Sequence, residues 1–235
     1  MIFAIADLHG YPLERLKALL KSAGFCDEDF LYVLGDVIDR NGDGGVELLC
    51  WLMEQPNAQL ILGNHEATLL SCAFVFDEIT EESVNNLSAE KLDLLNTYLL
   101  NGGDVTLKAM KALDFDTRDW LLEYLREAPL YEAVTAGGTD YLLVHSGLGN
   151  FSKEKRISDY SQNDFLWTRP GLEDNYYDDI MTVFGHTPTV YYGEEYRGKT
   201  IRTRSWMNID VGAGYGMEPV LLRMDDGKEF RLQDE

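Results

Sequence analysis

The chain has 235 residues and a formal net charge of −21, from 41 acidic against 20 basic side chains. That length can bury a full core, and a charge of this sign excludes non-specific binding to nucleic acid or to an anionic membrane, both of which need exposed Lys and Arg. No run reaches the ~18 apolar residues of a membrane span, and MIFAIADLHG has neither the basic start nor the cleavage site of a secretory leader. Cys26, Cys50 and Cys72 are odd in number and show no CxxC spacing, which implies free thiols in a reducing, cytoplasmic setting.

IFAIA (2–6) is expected to be a buried strand. PLERLKALLKSAG follows, with Leu13, Leu16, Leu19 and Leu20 on one helical face, Pro12 suited to the first turn and Gly24 to the stop. FLYVL (30–34) is a second strand, GVELLCWLMEQ a second helix and AQLIL (58–62) a third strand. This alternation implies right-handed crossovers and a parallel sheet. From about 66 to 130 the pattern is helical. EATLLSCAFVF continues from the third strand's loop; SAEKLDLLNTYLL has Ser88 as N-cap and stops at NGG; DVTLKAMKAL restarts with Asp104 as N-cap; and DTRDWLLEYLREAP ends at Pro129. The acidic run DEITEES (77–83) is expected to be a solvated loop. YEAVTAGGTDYLLVHSG is a hairpin turning at Gly137-Gly138. MTVFGH is another apolar run, and TIRTRSWMNIDVG and PVLLRMDDGKEFRL are antiparallel strands, the last pair joined at Asp226-Gly227. The expectation is a single α/β domain over 1–235: a β-sandwich of mixed sheets flanked by helices, with a helical insertion at about 66–130.

Five apolar runs end alike. IFAIA leads into Asp7-Leu8-His9; FLYVL into Gly35-Asp36, with Asp39 and Arg40 just after; LIL into Gly63-Asn64-His65-Glu66; YLLV into His145-Ser146-Gly147; and TVF into Gly185-His186. All four histidines of the chain lie in these places. Loops at the carboxyl ends of parallel strands converge on one rim, where α/β proteins hold ligands. A carboxylate at a buried strand end needs a partner, since an unpaired buried charge is very costly. A set of His, Asp and Asn without Cys suits Mn²⁺, Fe or Zn²⁺, and a divalent ion would match the charge on Asp36.

DLHG, GDVIDR, GNHE, a later His and GHTP together resemble the calcineurin-like metallophosphoesterase superfamily. Arg40 after Asp39, and Glu66 after His65, resemble its phosphoprotein phosphatase branch. LLNGGDVTL, FLWTRP and FGHTP are similar to segments of small bacterial and phage-type serine/threonine protein phosphatases and of symmetrical diadenosine tetraphosphate hydrolases. The motifs span Asp7 to His186, most of the chain.

The resemblance implies two divalent metal ions, Mn²⁺ first, with Fe or Zn²⁺ as alternatives. Asp7 and His9 would hold the first, Asp36 would bridge both, and Asn64, His145 and His186 would complete the second. His65 would be the general acid oriented by Asp39, and Arg40 and Arg169 would hold phosphoryl oxygens, with Pro170 biasing Arg169 toward an extended backbone. Three positions depart from the family's usual residues: Ala6 and Asn41 stand where Gly is usual, and HSG replaces His-Gly-Gly or His-Ala. The implied activity is hydrolysis of phosphate monoesters by a metal-bridging hydroxide, on serine/threonine phosphoproteins or small phosphate esters. The alternatives are symmetrical hydrolysis of dinucleoside tetraphosphates and, in a different class, a non-catalytic metal-stabilised binding module. Neither nucleic acid nor membrane is an expected partner.

Overall fold

A computed structural model describes residues 1–78, 80–81 and 85–232. Two five-stranded mixed sheets face one another. In the first, strands β1 (Ile2–Ile5), β2 (Phe30–Val33) and β3 (Ala58–Leu60) run parallel. Strand β9 (Leu221–Arg223) pairs antiparallel to β1 on its other side, and β10 (Lys228–Phe230) pairs antiparallel to β9. In the second, β4 (Tyr131–Ala136) pairs antiparallel to β5 (Thr139–Val144). Strands β5, β6 (Ile180–Phe184) and β8 (Trp206–Asn208) run parallel, and β7 (Ile201–Arg202) closes the far edge antiparallel to β8.

The central strands lack a polar face because both of their faces are covered. Alternation sends Ala4, Tyr32 and Leu34 of the first sheet against Tyr141, Leu143, Val183 and Met207 of the second. Phe3, Ile5, Leu31 and Val33 point the other way, into a layer of helices. Leu142, Val144, Phe184 and Trp206 form the outer face of the second sheet with Phe165 and Tyr176.

The helices are α1 (Leu13–Ser22), α2 (Val46–Glu54), α3 (Asn64–Ser71), α4 (Ala89–Tyr98), α5 (Asp104–Ala112), α6 (Phe115–Glu127) and α7 (Gln162–Leu166). Leu13, Leu16, Leu19 and Leu20 are the buried face of α1 as its spacing predicts, and Gly24 terminates it at φ 77°. Pro12 stands one position earlier than expected, as the N-cap. Ser88 caps α4 by accepting from Lys91 N–H, and Asp114 caps α6 by accepting from Thr117 N–H.

Asp104 is not an N-cap. It is already helical at φ −62°, because a wide turn over Leu99–Gly103, broken at Gly102 (φ 94°), carries α4 directly into α5. Helix α3 begins two residues before the expected Glu66, so Asn64 and His65 occupy its first turn. The hairpin β4–β5 pairs Ala136 with Thr139 across Gly137 and Gly138, whose φ of 55° and 81° are the positive pair that this tight turn demands. Strand β8 is antiparallel to β7 as expected but parallel to β6, which turns its carboxyl end to the same rim as those of β5 and β6. The acidic run 77–83 lies partly outside the described residues.

Leu143 is fully buried between the sheets. Leu143→Ala is expected to lower unfolding free energy by about 2–5 kcal/mol, read as a lower denaturant midpoint at an unchanged slope. A loss below ~1 kcal/mol would show that the sandwich interior is not closed there.

Candidate dinuclear metal centre and active site

The loops after β1 and β2 continue the ladder of their strands. Asp7 N–H donates to Gly35 O at 3.2 Å, His9 N–H to Asp36 O at 2.9 Å and Gly10 N–H to Val37 O at 2.8 Å. Across the sandwich, Gly185 N–H donates to His145 O at 2.8 Å. These pairings join the ends of β1 and β2 in one sheet and of β5 and β6 in the other. The turns are tight. Asp7, His9, Asp36, Asp39, Arg40 and His186 all have φ between 42° and 75°, and Asn150 is the one other non-glycine residue with positive φ among the described residues. Such conformations cost of order 1–3 kcal/mol each and persist where the surroundings over-determine them. Gly185 shows how close the approach is: a β-carbon there would lie 1.8 Å from Asp7 Oδ2.

His9 Nδ1 donates to Ile38 O at 2.8 Å, and its Nε2 faces Asp36 Oδ2 at 3.6 Å. His145 Nδ1 donates to Leu34 O at 2.8 Å, so its Nε2 presents a lone pair. That nitrogen lies 2.8 Å from Asn64 Oδ1 and 3.4 Å from Asp36 Oδ1. His186 Nδ1 is also 2.8 Å from Asn64 Oδ1.

Burial keeps three of these rings uncharged. It pushes His9 down to about 3 despite the charge on Asp36, and it pushes His186 down to about 3 with His145 adding to the effect. Burial likewise lowers His145. An acceptor nitrogen therefore faces an acceptor oxygen at hydrogen-bonding distance, an arrangement that a cation resolves. The donor atoms fall into two groups sharing Asp36: His9, Asp36 and His65, and Asp36, His145 and His186. The residues fit a pair of divalent cations with nitrogen and oxygen ligands.

Asp7 lies outside both groups. Its carboxylate oxygens accept from His186 N–H at 2.9 and 2.8 Å. Burial, then the charges of Asp210 and Asp36, push its carboxyl well above the ordinary range. His65, expected as the acid, falls within the first group through its Nε2, 3.8 Å from Asp36 Oδ2. Its Nδ1 donates to Asp39 Oδ2 at 2.6 Å. Burial opposes the charge on His65, but the Asp36 charge and the Asp39 hydrogen bond outweigh it, so this ring alone of the four is shifted toward the charged form. Contrasting environments thus set His65 apart from the other three rings.

The centre opens into a cavity of about 380 Å³ lined by Asp36, Arg40, Asn64, His65, Arg169 and His186, with Trp167, Tyr191 and Tyr215 around it. Arg40 Nη2 lies 3.2 Å from His65 Nε2. Neither Arg40 nor Arg169 has a carboxylate partner among the described residues, although acidic side chains outnumber basic ones two to one. The departures from the family's usual residues have work to do here. Asn41 Nδ2 donates to His9 O at 3.0 Å and to Gly214 O at 3.4 Å, joining two loops of the rim. Ser146 Oγ donates to Phe165 O at 2.7 Å and accepts from Thr168 N–H at 3.0 Å, which anchors the loop carrying Arg169.

Four supporting residues escaped the sequence reading. Glu66, fully buried, accepts from the N–H groups of Asp36, Val37, Ile38 and Gly63 at 2.8–3.2 Å and so shapes the loop that presents Asp36. Its position, third in a helix after a glycine N-cap, is the signal that could have revealed it. Tyr98 Oη and Thr106 Oγ1 donate to Asp39 Oδ1 at 2.7 and 2.6 Å. Both come from the helical segment, with nothing in the local sequence to mark them. Asp210 follows β8 as Asp7 follows β1; assigning β8 to a parallel pair would have found it. Burial, reinforced by the charge on Asp36 and partly offset by Gly212 N–H, pushes Asp210 up to about 7.

Residues 1–211 match the family of calcineurin-like phosphoesterases, and the chain belongs to that family. Similar curated proteins are symmetrical bis(5'-nucleosyl)-tetraphosphatases. One from Acidovorax sp. (strain JS42) is 30% identical over 148 residues, 63% of this chain and 44% of the relative. One from Chromobacterium violaceum is 27% identical over 193 residues, 80% of this chain and 57% of the relative. The chain spans about half the length of these relatives. In fold it resembles a solved structure described as a candidate diadenosine tetraphosphatase, with TM-score 0.64, 18% identity and coverage of 98% and 92% of the two chains. It also resembles a protein serine/threonine phosphatase from Saccharomyces cerevisiae, with TM-score 0.55, 14% identity and coverage of 100% and 80%.

Asp210 makes a pH prediction. Unfolded, its carboxyl ionises near the ordinary 3.8; folded and metal-free, it ionises at about 7. Between those values folding must take up a proton, so its contribution to stability falls as pH rises. In chelator-treated protein, Asp210→Asn should gain stability relative to the parent by on the order of 3 kcal/mol between pH 4 and 7. A pH-independent difference in denaturant midpoints would contradict this.

Proposed function

We propose that the chain is a metal-dependent phosphoester hydrolase that acts on dinucleoside polyphosphates. The observation that carries hydrolysis is the His65–Asp39 pair, 2.6 Å apart, beside two arginines without carboxylate partners among the described residues and two donor groups that share Asp36. Two divalent ions held by Asp7, His9, Asp36, Asn64, His145 and His186, Mn²⁺ being our first choice, would lower the pKa of water and neutralise phosphoryl charge. Arg40 and Arg169 meet the phosphoryl oxygens, the planar guanidinium being suited to two oxygens at once. Water attacks phosphorus, losing a proton to solvent, and its new P–O bond forms as the P–O bond to the leaving phosphate or alkoxide oxygen breaks; His65 gives its Nε2 proton to that departing oxygen and Asp39 stabilises the ring. His65 is then recharged from solvent, and the acid role needs no serine or cysteine nucleophile beside it.

Two observations support dinucleoside polyphosphates over the serine/threonine phosphoproteins that the motifs suggested first. The curated relatives carry that activity in their names, and the cavity is ringed by three exposed aromatic side chains, Trp167, Tyr191 and Tyr215. The phosphoprotein reading keeps one argument of its own: a well-built proton donor matters most for an alkoxide leaving group. The metal-binding module without turnover is disfavoured, because His65, Asp39, Arg40 and Arg169 are all in place.

With Mn²⁺ present, the protein should split diadenosine tetraphosphate into two ADP faster than it dephosphorylates a phosphoserine peptide; the reverse order would restore the phosphoprotein reading. His65→Asn should slow an alkyl phosphate by about 10²–10⁴-fold and p-nitrophenyl phosphate far less, since a good leaving group needs little help. Equal slowing of both would remove His65 from the acid role.

A further inference from the structure

Tyr191 and Tyr215 are 71% and 61% exposed, and each is set in a short turn that ends at a positive-φ glycine. Tyr191 lies in the turn Thr189–Tyr192, closed by Gly193 at φ 146°. Tyr215 lies in Ala213–Tyr215, between Gly212 at φ 98° and Gly216 at φ 86°. Both turns are tied to the rim: Thr189 N–H donates to Asp210 O at 2.9 Å, and Asn41 Nδ2 reaches Gly214 O at 3.4 Å. The Arg40 guanidinium lies 5.1 Å from the centre of the Tyr215 ring.

These two rings, with Pro188, are shared by two cavities. One is the phosphoryl cavity already described. The other, of about 400 Å³, continues behind them and adds Val190, Val211 and Met217. Its one cation, Arg197, is paired with Glu194 at 2.8 and 2.7 Å. Nothing in this second cavity is equipped to hold phosphate. It suits a flat, uncharged, weakly polar group attached to a phosphate held next door by Arg40 and Arg169.

We propose that Tyr191 and Tyr215, with the apolar cavity behind them, form a stacking subsite for the nucleobase of the substrate and make these two tyrosines specificity-determining residues. This rests on the phosphoester-hydrolase reading of the adjoining cavity and extends it to the part of the substrate that does not react. Every base has a π-face, so stacking on aromatic side chains accepts any base. It also supplies affinity that the chain's net charge of −21 does not oppose, which a polyanionic ligand needs here.

The test compares AMP with ribose 5-phosphate by calorimetry on the Mn²⁺-loaded protein. The two ligands share sugar and phosphate and differ in the base. AMP should bind at least about tenfold more tightly, as stacking of one base predicts. Tyr191→Ala should cut that preference to below about threefold, and Tyr191→Phe, which keeps the ring, should preserve it. Equal affinities in the parent protein overturn the subsite, and a preference that survives in both Tyr191→Ala and Tyr215→Ala overturns the assignment to these residues. Turnover of p-nitrophenyl phosphate is measured in parallel: its absence defeats the hydrolase reading while the binding comparison still decides the subsite.

Discussion

The constraint on which the rest of the structure depends is the gathering of carboxylates in the buried interior. Asp7, Asp36, Asp39, Glu66 and Asp210 are all buried at 2% exposure or less along one rim of the sandwich. Isolated charges there would be ruinous. Each is answered differently. Glu66 takes four backbone N–H groups, and Asp39 takes Tyr98, Thr106 and His65. Asp36, the carboxylate most exposed to histidine nitrogens, lies between His9 and His145. Asp7 and Asp210 have too few donors for their charge. What these last groups lack is positive charge, and the convergent nitrogen and oxygen atoms of His9, His145, His186 and Asn64 stand where a metal ion could supply it.

The fold serves that end through the sandwich itself. Parallel strands from two different sheets deliver their carboxyl ends to a common edge, and the short loops beyond them adopt strained, positive-φ turns because the backbone pairings between loops hold them there. Support then extends outward. The helical segment between α3 and β4 fixes His65 through Asp39, and Gly102 O also receives Arg40 N–H at 3.0 Å. That segment therefore buttresses the buried His65–Asp39 pair.

Much of this was legible in the sequence. Apolar runs ending in Asp or His gave the strands of the rim, and the shared position of all four histidines pointed to a single centre. The structure brings Asp36, Asn64, His65, His186, Arg40 and Arg169 to one cavity, with His9, His145 and Asp7 buried beside it. Long-range support was not legible. Tyr98 and Thr106 lie 59 and 67 residues from Asp39, and helical periodicity explains a tyrosine or a threonine equally well without them. Asp210 was missed for a topological reason: local alternation cannot tell whether a three-residue strand runs parallel or antiparallel to its neighbour. Asp104 was misplaced because capping preference was read where a glycine turn joined two helices.

Net charge and local chemistry pull in opposite directions in this molecule. Surface carboxylates more than about 10 Å away are largely screened at cellular salt, so among cations the field at the cavity is set by Arg40, Arg169 and any metal ion held there. The account is tested most directly by metal content. After equilibration with Mn²⁺ and removal of free ion, elemental analysis should find two manganese ions per chain, and Asp36→Asn, which weakens the carboxylate common to both donor groups, should retain fewer than one. A parent protein that holds no manganese would contradict the account at its centre.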